Sequence, residues 1–178
     1  MNKIAVVYKS RYGSTAKYAK WIAEELKADL YDCYQIDLKK LQEYSTIIYG
    51  VGLYASGIAG VSIITKNYDI LKNKKIIVFT VGLASTDNKE IFIPIIDKNF
   101  PTKEMKDKIN FFHFRGGIDY KKLGIIHKFM MAMLKGMQSR RDVNDLSPED
   151  KEFLATYGEK IDFTDKDAIK PLIQSLRS

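Results

Sequence analysis

Two hydrophobic periods alternate along the chain. Short apolar runs recur at Ile4 to Tyr8, Thr46-Ile-Ile-Tyr-Gly50, Lys75-Ile-Ile-Val-Phe-Thr-Val81 and Lys108-Ile-Asn-Phe-Phe-His-Phe114. Runs of this kind suit strands covered on both faces, because successive side chains point to opposite sides of a sheet. Between them the period lengthens. Ala16, Ala19, Ile22, Ala23 and Leu26 share one helical face, and Asp37 to Glu43 reads as a short helix. Ile58–Leu71 and Asn88–Asn99 supply crossover helices, the second weakened by Pro94. Leu30 to Ile36 is a weak strand with mixed faces, suited to a sheet edge. Strands alternating with helices predict a doubly wound parallel α/β sheet with its site at the carboxyl ends of the strands.

Beyond Phe114 the pattern changes. Roughly 50 residues precede the last helix, where a minimal fold of this class needs only a loop. Tyr120–Gln138 predicts a helix with Leu123, Ile126, His127, Met130, Met131, Leu134 and Met137 on its apolar side. Ser147-Pro-Glu-Asp150 is a strong helix start, with a serine cap, proline at the first position and acids in the first turn. Gly158 can end that helix, and Thr164 starts another with Ala168, Leu172 and Leu176 aligned and Pro171 disturbing its boundary.

At 178 residues, with 46% hydrophobic and 29% charged, the chain suits one soluble domain, 1–178, with an extra segment at about 116–160. Cys33 is alone, so no internal disulfide forms, and a reducing, cytoplasmic setting is expected. The first residues have too short an apolar core for a signal peptide. Tyr44 to Thr65 carries no charge, yet Gly50, Gly52, Gly57 and Gly60 punctuate it. A strand, a glycine loop and a helix start explain it better than a membrane span. The net charge is +7, and Phe112 to Arg141 holds seven cations against Asp119 alone, or +6 of it. Such a concentration points to a docking surface.

The chemistry begins at the first strand's end. Ser10-Arg-Tyr-Gly-Ser-Thr15 joins that strand to a helix start, where unpaired N–H groups, the helix dipole and three hydroxyls converge on an anion. This stretch resembles the phosphate loop of flavodoxins, which binds the FMN phosphate. The resemblance implies a five-stranded parallel sheet in the order 2-1-3-4-5, with helices on both faces and the weak second strand at an edge. It also implies FMN as cofactor, held by Ser10, Arg11, Tyr12, Gly13, Ser14 and Thr15. The loops after the third and fourth strands would enclose the flavin ring, through Gly52, Leu53, Tyr54 and Ala55, and Val81, Gly82, Leu83 and Ala84. Tyr54 can stack on the ring, and glycines let backbone approach it. Competing motifs fail. Gly52 to Gly57 has Walker spacing, but Ile58-Ala59 replaces the required Lys-Ser/Thr. No Gly-x-Gly-x-x-Gly and no metal-ligand spacing occurs. His113 reads as a partly buried sheet residue, His127 as a helix residue and Trp21 as packing.

A narrower resemblance lies downstream. Phe114-Arg-Gly-Gly-Ile-Asp-Tyr120, the Leu123 to Met131 helix, Arg141-Asp142 and Asp162-Phe-Thr-Asp165 are similar to the flavodoxin-type protoporphyrinogen IX dehydrogenases. That similarity implies an FMN-dependent dehydrogenase of haem biosynthesis, which oxidises a porphyrinogen and passes electrons to a quinone. No catalytic side chain is then required, because the flavin carries the redox chemistry. Arg115, Lys121, Lys122 and Lys128 are the candidates for substrate pairing or docking, with solvated surface cations as the alternative. An electron carrier acting on a redox partner protein is the alternative function, although classical carriers present an acidic face. Nucleic acid is not expected as a partner. For the basic, methionine-rich helix, packing on the core is the first expectation. Peripheral docking on the inner face of the membrane is the second.

Overall fold

The computed structural model describes residues 3–54, 57–58, 60–87 and 89–177. In chain order its first half contains β1 (Ile4–Lys9), α1 (Ser14–Leu26), β2 (Asp29–Asp32), α2 (Leu38–Leu41), β3 (Thr46–Tyr54), β4 (Gly57–Ile58), α3 (Ser62–Thr65), α4 (Tyr68–Leu71) and β5 (Lys75–Gly82). There follow α5 (Ile93–Asn99), α6 (Lys103–Lys108), β6 (Asn110–Arg115), β7 (Gly117–Asp119), α7 (Ile125–Gln138), α8 (Pro148–Thr156), β8 (Lys160–Asp162) and α9 (Lys170–Arg177).

Five strands form a parallel sheet in the order β2-β1-β3-β5-β6. With β4 set aside as the return of a small hairpin on β3, this is the expected 2-1-3-4-5 order, and β2 is the edge. The period-two pattern divides the sheet residues between two cores. Ala5, Val7, Ile47, Tyr49, Val51, Ile76 and Val78 pack on one side with Leu41, Ile64, Leu71 and Phe100. Val6, Ile48, Ile77 and Phe79 pack on the other with Tyr18, Ile22, Phe114 and Leu172, and Trp21 packs against them, partly buried. Both faces are covered, which is why the strands read as unbroken apolar runs.

Several boundaries differ from the expectation. β3 continues to Tyr54, so Gly50 and Gly52 are strand residues pairing with Phe79 and Val81 rather than loop residues. A Cβ on Gly50 would overlap the buried Phe79 ring, so the strand needs glycine there. The single crossover helix expected over Ile58–Leu71 is two four-residue helices, α3 and α4, and Ile58 lies in β4. Of Asn88–Asn99, Asn88 lies outside the described residues; Lys89–Phe92 is a 3-10 turn leading into α5. Pro94 sits in the first turn of α5, where its missing N–H costs nothing. Pro171 is accommodated in the same way at the start of α9.

The segment after β6 forms a separate layer. β7 and β8 pair antiparallel through Gly117↔Asp162, Ile118↔Ile161 and Asp119↔Lys160. Between them, the helix expected from Tyr120 starts later: Tyr120–Lys122 is a 3-10 turn, Gly124 is extended, and α7 follows. The Ser147 capping box forms at α8, and Gly158 adopts a φ of 93° beyond its end. None of the described α7 residues is buried, so this helix does not pack its stripe on the core as first expected. Among the described residues, no helix is long and apolar enough to cross a membrane.

Candidate functional site

A cavity of about 740 Å³ opens at the carboxyl ends of β1, β3, β5 and β6, with α7 and α8 as its far wall. It falls within the usual range for small-molecule sites, about 300–1,000 Å³. Ser10, Tyr12, Ser14 and Thr15 line one side, with Gly52, Leu53, Tyr54, Val81, Gly82, Leu83 and Ala84 from the two neighbouring strand ends. Ala55 lies outside the described residues. Arg11 and Gly13 face an adjoining hollow of about 640 Å³, which also collects Lys17, Lys122 and Lys160. The structure thus places the described residues of the three predicted stretches around two adjoining openings.

The first stretch is built as a cradle. Gly13 takes a φ of 99°, which a side chain would resist, and its N–H donates to Ser10 Oγ at 3.1 Å. No side chain caps α1, so the N–H groups of its first turn are not consumed by a cap. Thr15 is 4% exposed and lines the cavity, and its hydroxyl meets no protein partner among the described residues. Ser14 Oγ accepts the Gly117 N–H at 3.0 Å, which ties the cradle to β7 and leaves the hydroxyl proton free to donate. Lys17, one turn into α1, donates to Asp162 at 3.0 Å and to Thr164 Oγ1 at 2.6 Å. Hydrogen bonds from Thr164, and then the Lys17 ammonium, hold the Asp162 carboxyl below its ordinary range. Tyr18 Oη donates to the Arg115 carbonyl and accepts the Asp165 N–H, and burial raises its pKa.

Tyr54 is more enclosed than a loop aromatic would be. Its ring lies over Gly52, where a Cβ would come within 2.8 Å of it, and it stacks on His127 at 5.2 Å between centroids. Burial pushes its phenol pKa up. Tyr12 completes this cluster: its hydroxyl shares a 2.6 Å hydrogen bond with His127 Nδ1 and accepts the Gly124 N–H at 3.4 Å. His127 therefore belongs to the site. Its place in the apolar stripe of the helix was visible in the sequence, but nothing in that stripe pointed to Tyr12.

The four candidate cations separate. Arg115 lines the cavity, yet its guanidinium donates to Glu152 at 2.6 Å and to the Leu83 carbonyl, and stacks on Phe163 at 3.8 Å. It bridges β6 to α8. Lys122 lines the adjoining hollow, its ammonium 4.0 Å from Asp119. Lys121 and Lys128 are exposed and line neither opening. The rest of the chamber is largely apolar, with Leu123, Met130, Met131, Met133, Leu134 and Phe153 facing it.

A flavodoxin-domain family model matches residues 5–145 of the chain. The chain belongs to the flavodoxin family. Solved structures similar to this chain include the Trp repressor binding protein from Bacillus subtilis, at 17% identity and a TM-score of 0.47, covering 64% of this chain and 85% of that one. Oxidised flavodoxin 2 from Bacillus cereus follows at 22% identity and 0.44, covering 64% and 84%. A flavodoxin from the domain Archaea gives 17% and 0.41, covering 64% and 85%. No curated protein sequence matches the chain.

Proposed function

We propose that this chain is an FMN-dependent oxidoreductase of the protoporphyrinogen IX dehydrogenase type, with a quinone as electron acceptor. The observation that carries the reading is the α7–α8 wall, which turns the strand-end cleft into a largely apolar chamber. A carrier that only exchanges electrons at an exposed flavin edge has no need of such a chamber. The residues fit FMN. The Ser10–Thr15 cradle, with first-turn N–H groups and a Thr15 hydroxyl that has no partner among the described residues, suits a phosphate dianion. Gly52 and Gly82 line the cavity, Gly52 beneath the Tyr54 ring and Gly82 against Leu53. For Tyr54 to stack on a flavin, its ring turns out from over Gly52. Bound FMN supplies two-electron redox chemistry there; the chain binds it, orients it and limits water.

Substrate recognition is assigned to the paired openings. The basic hollow shares Tyr12, Ser14, Gly117, Ile118 and Ile161 with the chamber, so the two abut. A porphyrinogen lying in the apolar chamber can direct its propionates toward Arg11, Lys122 and Lys160. Arg115, committed to Glu152, serves the wall instead. The outer side of α7 supports docking on an anionic bilayer that holds the quinone. Ile125, Ile126 and Phe129 are 87%, 72% and 70% exposed beside Lys121, Lys122 and Lys128.

The test is anaerobic oxidation of protoporphyrinogen by the holoprotein, with quinone supplied in anionic or in neutral vesicles. The expected result is flavin-dependent turnover that is faster with anionic vesicles and falls as salt rises. No turnover, alongside rapid electron exchange with a redox protein, would instead support the carrier.

A further inference from the structure

His127 stands out among the side chains of the chamber because one of its ring nitrogens is tied to the phosphate cradle through Tyr12. Its Nδ1 lies 2.6 Å from Tyr12 Oη, and its ring stacks on Tyr54 with planes 20° apart. The Tyr12 ring closes the third side at 5.5 Å. Tyr12 Oη also accepts the Gly124 N–H, the N-cap residue of α7. Among the described residues Nε2 has no protein partner, and the residue lines the chamber. An imidazole fixed through one nitrogen, with the other turned to no protein group, is an arrangement that moves protons.

We propose that His127 is the proton carrier of the reaction, serving both halves of it from Nε2, with Tyr12 as its positioning residue. This rests on the FMN reading above. In the neutral ring Nδ1–H donates to Tyr12 Oη, leaving the Nε2 lone pair as a base. When the reduced substrate is oxidised, a C–H bond breaks; bound FMN would supply the acceptor for its hydride and both electrons. A substrate N–H bond breaks as well; its proton forms the new N–H bond on Nε2, and its electron pair becomes the substrate's new π bond. When a quinone is then reduced, FMN would return the hydride to it, and the imidazolium gives its Nε2 proton to the quinone oxygen and is neutral again. Substrate has lost two electrons and two protons, quinone has gained them, and the residue ends unchanged. The other groups around the imidazole are Tyr12 and Tyr54, with the Arg11 guanidinium 5.6 Å from the Tyr12 ring. The same chamber is lined by Lys98, Arg115, Glu149, Asp150 and Glu152, and Lys128 follows on α7.

Two measurements test this. The first needs no flavin: ¹⁵N NMR of the histidine rings in the apoprotein, at a pH where the rings are neutral. The expected neutral tautomer carries its proton on Nδ1, and Tyr12→Phe lowers that preference. A ring protonated on Nε2 overturns the proposal. The second uses photoreduced holoprotein, reoxidised by menadione or by ferricyanide, whose reduction consumes no proton. His127→Ala and His127→Gln are expected to lower the ratio of the menadione rate to the ferricyanide rate by about 100-fold. Added imidazole restores that ratio in His127→Ala. Equal slowing with both oxidants, or no rescue, makes the residue merely structural and overturns the proposal. FMN affinity of the wild type is read separately by fluorescence quenching. Its absence would overturn the flavin assignment, whereas FMN binding with an Nε2-protonated ring would overturn only the role of His127.

Discussion

Helices α1 and α7 are nearly equal in length, at 13 and 14 residues, and both carry an apolar stripe, but they use it differently. α1 buries Thr15, Tyr18, Ala19, Ile22 and Ala23 against the sheet. α7 has nine apolar positions and buries none of them. Its stripe faces the chamber on one side, through Met130, Met131 and Leu134, and solvent on the other, through Ile125, Ile126 and Phe129. The difference separates stability from function. The sheet and α1 make the domain, while the excursion between β6 and α9 makes a wall whose apolar surface stays available for ligands. Its anchors converge on one place. The Gly117–Ser14, Lys17–Asp162 and Tyr12–His127 contacts all end on the loop after β1 or on the first turn of α1. The cradle that suits a phosphate therefore also holds the wall, which couples the two.

The contrast is broken most severely at glycine. Gly50→Ala puts a methyl group into the Phe79 ring within the sheet. It should cost about 1–3 kcal/mol of global stability, measured by urea unfolding. A smaller effect comes from His113, on β6 at the side of the core. Its ring is stacked on Phe92 at 3.7 Å and hydrogen-bonded to Thr80 at 2.7 Å. Burial, and then the Lys89 charge, push its pKa down to about 4 from 6.5. The unfolded chain therefore binds the proton first, and stability contributed by the neutral ring is lost as pH falls from about 6.5 toward 4. After allowance for partial exposure the loss should be roughly 1–2 kcal/mol, and it should be absent in His113→Gln. The smallest effect has the opposite sign. On α7, a Cβ at Gly136 meets nothing within 4 Å. Gly136→Ala should stabilise that helix by about 0.5–1 kcal/mol, seen as slower amide exchange in α7 with the core unchanged.

These two regions also differ in how legible they were. The strands and the cradle at Ser10–Thr15 followed from unbroken apolar runs and from a hydroxyl-rich turn ahead of a helix, whereas the strand order came only with the flavodoxin resemblance. The runs and the turn are local signals. The length of β3 was missed because Gly50 and Gly52 look like loop residues until Phe79 is placed opposite Gly50. The β7–β8 pair was missed because each strand is three residues long, and the two are separated by the whole excursion. The exposure of α7 was undecidable, since a stripe facing a chamber has the same spacing as one facing a core. Arg115 reads as a free cation in sequence because Glu152 and Phe163, which occupy it, lie far along the chain.

The central claim is that the Ser10–Thr15 cradle holds the phosphate of FMN beneath the α7–α8 wall. Titration of the apoprotein with FMN and with riboflavin, followed by quenching of flavin fluorescence, tests it most directly. The two ligands differ only in the phosphate. FMN should bind far more tightly than riboflavin. Thr15→Ala should weaken FMN binding by about 10- to 100-fold, the loss expected for one charge-assisted hydrogen bond of about 1.5–3 kcal/mol, and so narrow the gap between the ligands. Equal affinity for FMN and riboflavin in the wild type would contradict the account.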